Sequence, residues 1–126
     1  MPPRNRTAAA ATEFLGRHVP FNRMSEEALA FLVKRLARVG YAKEATILAA
    51  HTGPVGQLYI VERGLVGSRP NSVQSEPDRT LGPGEMFPVG ALSAGGTTTK
   101  VFWALEETEC YVLARDDFVE LRKTSP

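Results

Sequence analysis

Cysteine, histidine and long apolar runs are scarce in this chain, and its net charge is close to zero. The single cysteine, Cys110, excludes an intramolecular disulfide and a cysteine-based zinc site, so a reducing, cytoplasmic location is expected. The two histidines, His18 and His51, lie too far apart in sequence to suggest a metal site. The longest apolar run, Ala28–Val33, is far shorter than the roughly 18 residues of a membrane span. Because a net charge of +1 gives no general attraction for nucleic acid, we expect neither DNA binding nor membrane association.

Motifs of catalysis are also missing. The sequence contains no Gly-x-Ser-x-Gly nucleophile motif, no Walker phosphate loop and no His-Glu-x-x-His zinc motif. A reactive thiolate at Cys110 is disfavoured because Glu106, Glu107 and Glu109 are its sequence neighbours. We therefore predict no enzymatic activity, no catalytic residue and no metal ligand.

The first third of the chain has helical periodicity. Residues 8–18 favour a helix that Pro20 ends. A second helix begins after Ser25, a good N-cap, and Gly40 is predicted to end it. Its apolar residues recur at the spacing of a helix that packs on a core, namely Leu29, Leu32, Val33 and Leu36.

Beyond about residue 39 the chain changes to short β-type segments separated by glycine, proline or charged residues, which is typical of a sandwich or barrel. The predicted strands are Val39–Ala42, Thr46–Ala49, Gln57–Glu62, Leu65–Ser68, Arg79–Leu81, Lys100–Leu105 and Cys110–Leu113. The two strands that flank Arg63 and Gly64 are predicted to form a tight hairpin. A last helix should begin at Asp116 or Asp117. The 126 residues thus predict one mainly β domain, a roll with N- and C-terminal helices.

Three segments carry a family resemblance. Residues 58–66 read LYIVERGLV, residues 81–87 read LGPGEMF, and residues 110–118 read CYVLARDDF. In this order and spacing they resemble the cyclic nucleotide-binding domain, the effector domain of the catabolite-activator-protein type, over roughly residues 20–123. The resemblance implies a β-roll of the double-stranded β-helix or jelly-roll kind. Residues 1–20 would be an N-terminal arm or helix, and residues 21–126 the cyclic nucleotide-binding-like domain.

In this family a short cassette between two strands binds the ligand: a glutamate contacts the ribose hydroxyl and an arginine contacts the cyclic phosphate. In this chain Val89 stands at the glutamate position and Thr98 at the arginine position, so both charged contacts are missing. Lys100 is either an exposed strand lysine or a substitute cation, and Phe87 is expected in the core. The candidate ligand-binding residues implied by the resemblance are Phe87, Val89, Gly90, Ala91, Leu92, Thr97, Thr98, Thr99 and Lys100.

The segment FPVGAL at residues 87–92 is similar to the N-terminal domain of bacterial signalling proteins that continue into a CBS pair and a predicted nucleotidyltransferase. The resemblance implies a regulatory sensor that acts on an attached or separate output domain, with a homodimer through the terminal helices as a family-based expectation.

Three functions are open on this sequence. The first is a diverged sensor that binds cyclic AMP weakly and takes another small anionic nucleotide or no ligand. The second is a working cyclic AMP or cyclic GMP sensor that uses Thr98, Thr99, Lys100 and backbone amides as a substitute anion site. The third is a ligand-free dimerisation or interaction module.

Overall fold

Two antiparallel sheets, three α-helices and one short 3-10 helix make up most of the described chain. The structure is a computed structural model, and it describes residues 10–18, 21–49, 56–70, 79–88 and 100–124. The helices are α1 (residues 10–15), the short 3-10 helix Phe21–Arg23, α2 (Glu26–Arg35) and α3 (Arg115–Thr124). The strands are β1 (Ala37–Tyr41), β2 (Thr46–Leu48), β3 (Gln57–Arg63), β4 (Val66–Pro70), β5 (Arg79–Leu81), β6 (Met86–Phe87), β7 (Lys100–Ala104) and β8 (Thr108–Ala114).

The strand order within each sheet is that of a roll. The first sheet has the order β1-β8-β3-β6 and the second has the order β2-β7-β4-β5. All described pairings are antiparallel. The predicted mainly β fold with flanking helices is therefore confirmed.

Strands β3 and β8 in the middle of the first sheet are buried on both faces, which explains the continuous apolar run in β3, whereas β1 at the edge is mostly exposed. The helix-side core lies between this sheet and the helices, and comprises Ala11, Leu15, Phe21, Ala28, Leu32, Val33, Leu58, Ile60, Tyr111, Leu113 and Leu121. The roll interior lies between the two sheets, and comprises Tyr59, Val61, Val66, Leu81, Phe87, Phe102, Cys110 and Val112. Successive residues of β3 and β8 thus point alternately into the helix-side core and into the roll interior.

Helix α2 begins as predicted and ends earlier than predicted. The Ser25 side-chain oxygen accepts a hydrogen bond from the backbone N–H of Ala28 at 3.1 Å, as an N-cap does. The helix ends at Arg35, and Leu36 already has extended backbone angles. The prediction that Gly40 ends this helix is wrong, since Gly40 lies within β1 opposite Glu109. Pairing with β8 takes this segment into the sheet despite its helical periodicity.

The predicted hairpin around Gly64 is also wrong. Strand β3 pairs with β6 and β8, whereas β4 pairs with β5 and β7 in the other sheet. Gly64 does reverse the chain, with φ of 102°. A Cβ atom at this position would lie 2.6 Å from both the Glu107 carbonyl oxygen and the Thr108 Cα atom. The glycine therefore carries the chain closely past the β7–β8 turn from one sheet to the other.

Other boundaries differ by smaller amounts. Helix α1 ends at residue 15, before the predicted residue 18, while residues 8 and 9 of its predicted start lie outside the described residues; α3 begins at Arg115. Strand β6 was not predicted, because two residues are too few to show a period. Among the described helices, none has the length and apolar character needed to cross a membrane.

Candidate ligand-binding site

Phe87, the first residue of the predicted cassette, is a core residue. It is 2% exposed and its ring stacks between two others. The centroid distances are 5.1 Å to Tyr59 and 4.6 Å to Phe102, with interplanar angles of 8° and 19°. This aromatic stack joins both sheets across the roll interior. It therefore holds the first residue of the predicted cassette in place. The prediction that Phe87 lies in the core is confirmed.

The turn that leads into β6 is held by backbone hydrogen bonds to β3. The Gly84 N–H donates to the Val61 carbonyl at 2.8 Å, and the Val61 N–H donates to the Glu85 carbonyl at 2.9 Å. Gly84 has φ of 91°, and the His18 ring packs where its side chain would be. The Glu85 carboxylate accepts from the Gly82 N–H at 2.8 Å. The cassette thus departs from a well-fixed turn.

Lys100, the last candidate residue, lies at the start of β7. It is two residues from Phe102, which faces the roll interior, so both side chains leave the strand on the same face. Its backbone is opposite Pro70, the last residue of β4. We call this end of the roll interior, where β4 ends and β5 and β7 begin, the roll mouth. The structure brings Lys100 and the aromatic stack to one end of the interior.

The remaining candidates lie outside the described residues. These are Val89, Gly90, Ala91, Leu92, Thr97, Thr98 and Thr99. Their roles in ligand binding stay predictions. Of the residues on either side of them, Phe87 belongs to the roll interior, and Lys100 begins β7 two residues before the interior residue Phe102.

Two residues at the roll mouth were missed by sequence reasoning. Ser68 on β4 is 1% exposed, and its hydroxyl has no hydrogen-bond partner among the described residues. It lies opposite Phe102 on one side and Arg79 on the other. The sequence offers one signal for them, because residues two apart in a strand lie on the same face. Ser68 follows the apolar Val66 by two residues, and Arg79 precedes the apolar Leu81 by two. Only the pairing shows that they are neighbours.

The thiol and phenols of the interior are kept neutral. Burial, with a smaller contribution from the negative charge of Glu62, raises the pKa of Cys110 to about 12. Burial likewise raises the pKa of Tyr41 to about 12 and raises that of Tyr59. The expectation that Cys110 is a structural thiol fits this environment. In the described ranges no cluster of histidine, cysteine or acidic residues has the geometry of a metal site.

The adjacent aromatics Phe102 and Trp103 point to opposite faces of the second sheet. Phe102 is 6% exposed in the roll interior. Trp103 is half-buried on the outer face of the second sheet, where the Arg69 guanidinium carbon lies 4.6 Å from its ring centroid. Trp103 therefore makes a cation–π contact on the outer face. Of these two aromatic residues, Phe102 is the one that borders the candidate site.

Comparison with solved structures finds this fold in several signalling proteins. The regulatory domain of Toxoplasma gondii PKA, crystallised with cAMP, matches with a TM-score of 0.78 at 18% identity over 90% of this chain and 44% of that chain. The Thermus thermophilus catabolite activator protein matches with a TM-score of 0.69 at 25% identity over 87% and 50%. The sensor domain of the transcriptional regulator DNR from Pseudomonas aeruginosa gives 0.80 at 13% over 92% and 79%. The chain thus spans half or less of the first two proteins.

Comparison with curated proteins finds no match. Nothing found supports the narrower resemblance to proteins with a CBS pair and a nucleotidyltransferase. The family model described as "Cyclic nucleotide-binding domain" matches residues 38–125, which include nearly all of β1, strands β2 to β8 and all of α3. With the roll topology and the structural neighbours in agreement, the chain belongs to the cyclic nucleotide-binding domain family, whose domains are regulatory and not catalytic.

Proposed function

We propose that this chain is a regulatory sensor domain of a cytoplasmic, bacterial signal-transduction protein, and that it takes a small anionic nucleotide at the roll mouth. The observation that carries the proposal is the Ser68 hydroxyl, which is buried in the roll interior without a partner among the described residues. An unsatisfied buried hydroxyl costs about 1–3 kcal/mol, which a polar ligand at the mouth would recover. Family membership supports the same location.

The proposed ligand binding is altered relative to the family pattern. Val89 and Thr98 stand where the resemblance places the ribose-binding glutamate and the phosphate-binding arginine. Each charge-assisted hydrogen bond contributes about 1.5–3 kcal/mol. At about 1.4 kcal/mol per tenfold change, losing two lowers the affinity for cyclic AMP by roughly two to four powers of ten. Tight binding of cyclic AMP in the family's usual manner is therefore not expected.

A working cyclic AMP or cyclic GMP sensor with a substitute anion site is the second candidate. The placement of Lys100 favours it, because its side chain leaves β7 on the interior face at the roll mouth. An ammonium group there could take the place of the missing guanidinium near the phosphate. On this hypothesis Thr98, Thr99 and backbone amides of the cassette complete the site.

The signal would pass to an output domain, attached or separate, and the chain itself would have no catalytic role. A CBS pair followed by a nucleotidyltransferase is the specific output predicted from the segment FPVGAL. Homodimerisation through the terminal helices stays a prediction. Its test is the oligomeric state of the purified chain with and without nucleotide.

Isothermal titration calorimetry of the purified chain against cyclic AMP and cyclic GMP tests the proposal, with a thermal-shift panel that adds AMP, ATP and cyclic dinucleotides. We expect weak binding of cyclic AMP in the unaltered chain and tighter binding after Val89→Glu with Thr98→Arg. Lys100→Ala should abolish binding on the second hypothesis, while Lys43→Ala, an exposed lysine of the β1–β2 turn, serves as its control. No response to any nucleotide would contradict a sensor function and favour the ligand-free module.

A further inference from the structure

Strand β1 is the longest and most regular edge strand of the two described sheets. The strand orders place β1 and β6 at the edges of the first sheet, and β2 and β5 at those of the second. Strands β2 and β5 have three residues each and β6 has two, and the register between β2 and β7 is irregular. Strand β1 has five residues and pairs with β8 in a regular register. Shortness and bulges commonly protect sheet edges, so among the described strands β1 is the edge without this protection.

The outer edge of β1 is open to solvent. Residues 37–40 are all exposed, and none of the described strands pairs with this edge. Val39 is 37% exposed and is one of two exposed large apolar side chains in the described ranges. Arg38 does not protect the edge, because its guanidinium reaches away from it to Glu62 on β3 and to Glu109 on β8. The edge is therefore an unpaired backbone with an apolar centre, which is a template for strand addition.

The residues of β1 are complementary to a second copy of themselves. In an antiparallel pairing about a two-fold axis at Val39, this residue lies opposite its own copy. Ala37 then lies opposite the partner's Tyr41, and Arg38 lies opposite the partner's Gly40. Because opposed residues point to the same face, the apolar and aromatic side chains meet on one face. Glycine takes the position beside the arginine on the other face.

Charge complementarity supports the same pairing at the ends of the strands. An open hollow with a volume of about 230 Å³ lies at the end of β1 and is lined by Gly40, Tyr41, Ala42, Glu107, Thr108 and Glu109. In this pairing the partner's α2, which ends two residues before its β1, comes to this hollow. The exposed Lys34 in the last turn of α2 then approaches the exposed Glu107. Lys43 and Glu44 in the adjacent turn carry opposite charges that offset each other.

We propose that two copies of this chain associate by antiparallel pairing of their β1 strands about Val39, which joins the two first sheets into one continuous sheet. A two-fold pairing uses both open edges, whereas an added peptide strand would itself present a new open edge. This difference favours a second copy over an extended segment of another protein. The surface is separate from the terminal helices α1 and α3.

Sedimentation equilibrium of the complete chain tests the pairing. We expect twice the mass of one chain for the unaltered protein. Val39→Lys should give the mass of a single chain, because two like charges directly opposite each other destabilise a strand pair. Val119→Lys is the matched control, since Val119 lies on α3 and is 36% exposed, and it should leave the dimer intact. Circular dichroism of each variant confirms that a loss of association is not a loss of fold.

Disulfide formation between two copies tests the register. Directly opposed residues of antiparallel strands have Cα atoms about 4.5–5.5 Å apart. This separation lies within the range of about 4.4–6.8 Å that a disulfide allows. Oxidised glutathione should therefore link two Val39→Cys chains and should not link two Val119→Cys chains. The natural Cys110 is fully buried and does not interfere.

Each alternative result would overturn self-pairing at β1. A single-chain mass for the unaltered protein would leave the edge to an extended segment of another protein. A dimer that persists in Val39→Lys and dissociates in Val119→Lys would assign association to the terminal helices. A Val39→Cys dimer that oxidised glutathione does not link would exclude a two-fold axis at this residue.

Discussion

Replacing Gly64 with alanine should destabilise the protein strongly, because two separate costs arise at this residue. Its φ of 102° is a backbone conformation that residues with a side chain rarely adopt. Holding alanine in this conformation costs about 1–3 kcal/mol. The new methyl group would also lie 2.6 Å from the Glu107 carbonyl oxygen and from the Thr108 Cα atom. Both are backbone atoms that cannot rotate away, and forced overpacking of this kind costs about 1–3 kcal/mol.

Together these costs predict a loss of about 2–6 kcal/mol in the free energy of unfolding, a large part of the 5–15 kcal/mol typical of a domain of about this size. Urea denaturation followed by circular dichroism measures it, with the slope of the transition as a check on two-state behaviour. Gly40→Ala is the matched control. A Cβ atom there has no neighbour within 4 Å, so the change should stay within about 0.5 kcal/mol.

A loss below about 1 kcal/mol for Gly64→Ala would refute this reasoning. It would mean that the crossing between the two sheets yields easily, and that the close approach of the β3–β4 and β7–β8 turns is not needed for stability.

Two further predictions concern buried polar groups. The Thr108 hydroxyl, fully buried, accepts from the Leu65 N–H at 3.2 Å and donates to the Glu106 carbonyl at 2.8 Å. Thr108→Val should therefore cost about 1–3 kcal/mol in urea denaturation and speed amide exchange at Leu65; unchanged exchange would contradict it. For Cys110, whose pKa rises from 9.0 to about 12 mainly through burial, thiolate absorbance should appear near pH 9 only in the unfolded chain. Since the folded protein keeps this proton longer, the thiol's contribution to stability is complete below pH 9 and is lost as the pH rises towards about 12; ionisation near pH 9 in the folded protein would contradict this.

Local chemistry made several elements predictable. Ser25 begins α2 because a short side-chain oxygen satisfies an N–H of the first turn. Residues 57–62 and 110–113 form strands where their apolar runs predict them. Gly64 reverses the chain, as its freedom from a Cβ atom allows.

The pairing of the strands was not predictable from local chemistry. The strands on either side of Gly64 have the pattern of a hairpin, yet each pairs in a different sheet. The helical stripe that included Leu36 stops at Arg35 because the next residues pair with β8. In both cases the hydrogen bonds that decide the outcome go to residues far away in the sequence.

For the candidate site, too, some features could be predicted from the sequence and others only from strand pairing. The assignment of Val89 and Thr98 to the positions of the charged cassette residues comes from the resemblance and stays a prediction. Ser68 and Arg79 attract no attention there, because one polar residue on each of two short strands is ordinary. Only the strand register, which sets Ser68 opposite Arg79, shows that the two residues are neighbours at the roll mouth.

By itself the sequence determined the class of fold, the start of α2 and most of the strand segments. These depend on periodicity, on capping and turn residues, and on matching residue types, all of which are local. The tertiary structure alone decided which sheet each strand joins, which face each residue shows and which polar groups meet at the roll mouth. Those depend on pairing between residues far apart in the chain, and a shift of one residue in register would send each side chain to the other face.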